Sequence, residues 1–99
     1  MKLRALAHSR AGDKGRIVNL SVIAFDEAHY PRLAQAVTAA RVKAHLGEIV
    51  AGEVLRYEVP SLGALNFVIP RAPRESVTRT LALDAHGKSL SSALLDMEL

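Results

Sequence analysis

The chain has 99 residues, 49% of them apolar, with 13 basic and 10 acidic side chains and no cysteine. That length holds one domain, and the apolar share is enough for a hydrophobic core, which argues against intrinsic disorder. The lack of cysteine excludes a disulfide framework and a thiolate metal site, and it fits a cytoplasmic protein.

The net charge of +3 is mild. One basic cluster is Arg10, Lys14 and Arg16, and another is Arg71, Arg74 and Arg79. Nucleic-acid surfaces usually add aromatic stacking platforms to such clusters. Here the aromatic residues are only Phe25, Tyr30, Tyr57 and Phe67, so no nucleic-acid partner is expected. The apolar start of the chain is broken by Arg4 and ends at His8, too short for a signal peptide, and no stretch has the length of a membrane span. A chain this small buries only about 60–65% of its unfolded surface, so a second copy or a partner chain would add to its stability.

Residues 2–8 read as a first strand, and residues 9–15 as a turn carrying Gly12, Asp13, Lys14 and Gly15. Residues 17–25 read as a second strand. Val18, Leu20, Val22 and Ala24 fall on one face, and Ile17, Asn19, Ser21 and Ile23 on the other. The period then changes. Asp26 suits a helix N-cap, Pro31 a first helical turn, and Leu33 with Val37 makes a short apolar stripe. Thr38 can cap a second helix bearing Val42, Leu46, Ile49 and Val50, ended by Gly52. One bent helix or two short ones both satisfy this pattern.

Alternation returns at residues 53–59, where Leu55, Tyr57 and Val59 alternate with Arg56 and Glu58. Residues 60–63 form a turn, residues 65–69 another strand, and residues 70–75 an exposed loop. A further strand is expected at 77–83, a turn at 84–87, and a last helix capped by Ser89 with Leu90, Leu94 and Met97 inward. Strands at both ends around central helices indicate an α+β layer with one antiparallel or mixed sheet.

Two readings compete for residues 8–15. Successive backbone N–H groups of a glycine-containing turn can form a nest for an anion, with Arg10, Lys14 and Arg16 adding charge. Alternatively Asp13 accepts local N–H bonds and the turn is structural. The Walker spacing is absent. His8 and Asp13 could serve as a base and its orienting carboxylate. Ser9 is a poor nucleophile, with no strand–turn–helix elbow around it. His29, His45 and His86 have no ligand spacing, so no metal is expected. Asn19 and Asn66 interrupt strands where asparagine is disfavoured. If their face is uncovered they line a shallow site; if covered, each must be hydrogen-bonded.

The run His8-Ser9-Arg10-Ala11-Gly12-Asp13-Lys14-Gly15, followed by Asn19-Leu20-Ser21-Val22-Ile23-Ala24, resembles the opening of one known domain. Tyr57-Glu58-Val59-Pro60, Leu65-Asn66-Phe67-Val68 and Leu83-Asp84-Ala85-His86-Gly87-Lys88 extend the likeness over essentially the whole chain. The domain is the C-terminal part of the acyclic terpene utilisation protein AtuA and its relatives. The resemblance implies a ferredoxin-like sheet of four to five mostly antiparallel strands with two to three helices on one face. Such domains occur fused behind a much larger domain or free-standing, in a pathway that degrades citronellol and geraniol through acyl-CoA intermediates. Many relatives carry a glycine-rich run after the Asn-Phe-Val strand, where this chain has residues 70–76 instead.

These observations set the expectations. The chain is a subunit or accessory of a large AtuA-type protein, and any enzymatic step is of hydratase or lyase type on an acyl-CoA in the assembled complex. The alternative is a self-sufficient homo-oligomer that binds a small anionic ligand such as a carboxylate or acyl-CoA. The site residues are His8 and Asp13 for catalysis, and Arg10, Gly12, Lys14, Gly15, Asn19 and Asn66 for ligand binding. No cofactor is implied.

Overall fold

Lys14 pairs with Ile17, which leaves Gly15 and Arg16 as a two-residue hairpin loop. Gly15 has φ 69° and no non-glycine residue among those described has positive φ. Positive φ at the first loop position alone is the type II′ geometry, whose twist matches that of the paired strands. The computed structural model describes residues 1–72 and 90–99. Within them this hairpin joins β1 (Ala7–Lys14) to β2 (Ile17–Ala24) in an unbroken antiparallel register. β3 (Leu55–Val59) and β4 (Ala64–Pro70) complete a four-stranded sheet ordered β1-β2-β4-β3, with every neighbouring pair antiparallel.

Helices α1 (Tyr30–Ala36) and α2 (Ala39–Leu46) connect β2 to β3, and α3 (Leu90–Leu95) lies near the C-terminus. Asp26 accepts from the Ala28 N–H before α1, and Thr38 accepts from the Arg41 N–H at the start of α2, each supplying a bond the helix cannot make itself. The helices bury Leu33, Val37, Val42, Leu46, Leu90 and Leu94 against Val18, Leu20 and Val22 of β2 and Leu65, Phe67 and Ile69 of β4. The β2 and β4 residues named all belong to one face of the sheet.

β2 and β3 both run antiparallel to β4, which lies between them, so β2, the helical pair and β3 make a split β-α-β unit. That unit is half of the ferredoxin-like arrangement. The chain termini meet: the Leu3 N–H donates to the Met97 carbonyl, the Leu99 N–H to the Met1 carbonyl, and the N-terminal ammonium pairs with Glu98.

Several expectations are corrected. Residues 2–8 are not a strand. Leu3–Ala5 is a 3-10 turn that buries Leu3, and β1 starts at Ala7. The eight residues of β2 take a full-length partner from the hairpin register, so residues 9–14 are strand rather than turn. Helix α2 stops at Gly47, not Gly52, because Gly47 has φ 60° and ψ −126°, a conformation side chains resist. Ile49 then sits in a 3-10 turn. Finally, β4 runs through Pro70, and the N–H groups of Arg71 and Ala72 are bound to the carbonyls of Arg16 and Ile49. The first part of the expected 70–75 loop is therefore tied down. The expected strand at 77–83, the turn at 84–87 and the Ser89 cap lie outside the described residues.

Candidate functional site

Because β1 has no bulge, its side chains alternate strictly. Ala7, Ser9, Ala11 and Asp13 point to the helical side, opposite Ala24, Val22, Leu20 and Val18. His8, Arg10, Gly12 and Lys14 point to the other side, opposite Ile23, Ser21, Asn19 and Ile17. Carrying the register through β4 and β3 gives the rows of this second face. Arg10 leads to Ser21, Asn66 and Tyr57; Gly12 leads to Asn19, Val68 and Leu55; His8 leads to Ile23, Ala64 and Val59.

Among the described residues no helix covers this face. Its outer members are open to solvent, with Ile17 40%, Leu55 48% and Tyr57 52% exposed, and Phe25 beyond the end of β2 at 63%. The two asparagines thus meet the first of the alternatives set by the sequence: their face is uncovered. Among the described residues neither carboxamide has a hydrogen-bond partner in the protein. Ser21 is committed locally, with its Oγ accepting from the Arg10 N–H at 3.1 Å. The His8 and Phe25 rings stack with centroids 5.7 Å apart.

The face is electrostatically one-sided. Its charged side chains are Arg10 and Lys14, both on β1, with Arg16 in the adjoining turn; no carboxylate points to this side from any of the four strands. The opposite margin, on β3, carries Leu55, Tyr57 and Val59. An apolar margin and a basic margin flank a central strip of Asn19, Ser21 and Asn66.

Arg10, Gly12, Lys14, Asn19 and Asn66 therefore share one surface, and Gly15 caps its end. The nest reading of residues 8–15 loses its premise, because consecutive N–H groups of a strand point alternately to either side and do not converge. The turn reading of Asp13 is also replaced: its carboxylate pairs with Arg71 Nη1 at 3.1 Å on the helical side. His8 and Asp13 are five strand positions apart, roughly 17 Å, and on opposite faces. They cannot act on each other as base and orienting group within one chain. Ser9 is turned toward the helical layer, where its hydroxyl is buried without a hydrogen-bond partner among the described residues.

Sequence reasoning does not nominate Ser21 or Tyr57, which complete the row begun by Arg10 and Asn66. The signal that could find them is the two-residue Gly15-Arg16 loop, from which the pairing of Arg10 with Ser21 follows. Arg56 is also unexpected as a structural residue. It faces the helices and donates through Nη1 to the carbonyls of Ala34 at 2.5 Å and Val37 at 3.1 Å.

Among the described residues no group of three or more histidine or acidic side chains is placed to hold a metal ion, and no helix is long and apolar enough to cross a membrane. No curated protein and no solved structure matches the chain. The family model of the AtuA ferredoxin-like domain matches residues 1–99. A match over the whole chain, on a sheet with a split β-α-β unit, shows that the chain belongs to the AtuA ferredoxin-like domain family.

Proposed function

We propose that this chain is an assembly subunit of a larger AtuA-type protein in the cytoplasm, acting in terpenoid or acyl-CoA breakdown. The observation that carries the reading is the sheet face, which none of the described helices covers. Four strands present a surface with exposed Ile17, Leu55 and Tyr57 that a lone domain of this size would gain by burying. The catalytic step, of hydratase or lyase type on an acyl-CoA, belongs to the assembly. Arg10 and Lys14 supply positive charge at one margin of the face, suited to the anionic part of such a substrate.

Co-expression of the chain with a large AtuA-type protein from the same genome tests this. The two are expected to co-elute and to be recovered together through a tag on either one. Recovery as separate species overturns the reading. A second reading, a self-sufficient homo-oligomer that binds a carboxylate or acyl-CoA, draws on the unpartnered carboxamides of Asn19 and Asn66. It expects such ligands to raise the melting temperature of the chain alone, with the rise lost in Arg10→Ala.

A further inference from the structure

The central row of the open face, from Arg10 to Tyr57, is self-complementary, and we infer that two copies of the chain pack these faces together about a two-fold axis parallel to the strands. The inference rests on the homo-oligomer reading, in which a second copy and not a larger chain takes the open face. An axis in that direction, running between β2 and β4, keeps each row level and reverses its order. β1 of one copy then lies over β3 of the other, and β2 over β4.

The chemistry of the rows fits this operation. Arg10 meets the Tyr57 ring of the second copy, a cation over an aromatic face. Ser21 meets Asn66, which gives the unpartnered carboxamide a hydrogen-bonding neighbour. In the next row Leu55 meets Gly12 and Asn19 meets Val68; in the row on the other side Ile23 meets Ala64 and His8 meets Val59. A large side chain thus faces a small one at Gly12 and Ala64, while the Asn19 carboxamide gains no polar partner. Such reciprocal matching, i on j and j on i, is what an isologous interface requires.

The other in-plane axis, perpendicular to the strands, would place β1 over β1. It would oppose Arg10 and Lys14 to their own counterparts with no carboxylate on the face to offset them, which disfavours that arrangement. Aligned sheets pack about 10 Å apart with strands within about 30° of each other, a separation these side chains can fill. Four strands at about 4.8 Å spacing and about 22 Å of strand length give a footprint of roughly 400 Å² per copy. With side-chain relief, the two copies together remove on the order of 1,000 Å² from solvent, near the lower bound for a specific interface.

Light scattering on the purified chain tests the inference. The expected mass at micromolar concentration is twice the 10.7 kDa of one chain. Tyr57→Arg puts a second cation opposite Arg10 and is expected to raise the dimer dissociation constant by about a hundredfold or more. Adding Arg10→Glu to Tyr57→Arg places opposite charges across the interface and restores the dimer. Within one chain these positions are three strands apart, about 14 Å, so rescue cannot arise in cis. A monomeric wild-type chain, a dimer indifferent to Tyr57→Arg, or a double variant that stays monomeric each overturns the proposal. Binding of a larger chain on this face in place of the dimer also overturns the proposal, whereas failure of co-purification with a larger chain leaves it standing.

Discussion

Arg56 faces the helices, and its guanidinium spans the carbonyls of Ala34 and Val37 where α1 ends. A cation there satisfies acceptors the helix leaves open and opposes the negative end of its dipole. This explains why the apolar residues of β3 turn outward: at this edge the inward position goes to the capping arginine, and Leu55 and Tyr57 take the open face. Ser9 is the contrasting case. Its hydroxyl is buried without a hydrogen-bond partner among the described residues, which is unfavourable by about 1–3 kcal/mol relative to a satisfied or absent group. Ser9→Ala is therefore expected to stabilise the fold by about 1 kcal/mol in urea unfolding. A loss of stability would show that the hydroxyl has a partner in solution.

At the scale of the element, the β1–β2 hairpin decides what the open face contains. A shift of one residue would send Arg10, Gly12 and Lys14 to the helical side and bring Ser9 and Asp13 out. Gly15, at φ 69°, holds the register. Gly15→Ala is expected to lower stability by about 1–2 kcal/mol, the usual penalty for a side chain in left-handed backbone. Equal stability of the two proteins in thermal or urea unfolding would mean that the loop is not a type II′ turn.

The same hairpin marks the limit of what can be read from sequence. The alternation in residues 17–24 is plain, because Val18, Leu20 and Val22 are buried and the residues between them are not. The strand character of residues 9–14 is hidden. Gly12, Asp13 and Lys14 are turn-forming types, and only pairing with β2 over its full length makes them extended. The end of α2 is ambiguous in sequence because Gly47 and Gly52 are both plausible stops, and backbone torsion alone distinguishes them. Asn19 and Asn66 stand out as misfits in strands, but their sharing a surface with Arg10 depends on the long-range pairing of β2 with β4.

For the whole molecule, the described helices and the chain ends are concentrated on one side of the sheet, and Arg10, Gly12, Lys14, Asn19 and Asn66 on the other. Arg41 reaches the carbonyls of Ala36 and Glu98, and His45 lies 2.7 Å from the Ala93 carbonyl, so polar groups of α2 are engaged in holding the C-terminal segment. Among the described residues, the open face has no comparable internal commitments beyond Ser21. This asymmetry is the basis for treating the sheet face as the surface where the chain meets other molecules.

The chain has no cysteine, so a single introduced thiol reports on one place at a time. Leu55→Cys on the open face and Lys43→Cys on the exposed side of α2 can be alkylated in the assembled protein and after dilution below the association range. Alkylation at position 55 is expected to slow at least tenfold on assembly, an order-of-magnitude figure for a thiol buried in an interface core, while position 43 reacts at the same rate throughout. Equal reactivity at position 55 in both states, or protection at position 43 instead, would move the assembly surface to the helical layer and contradict the assembly role of the open sheet face.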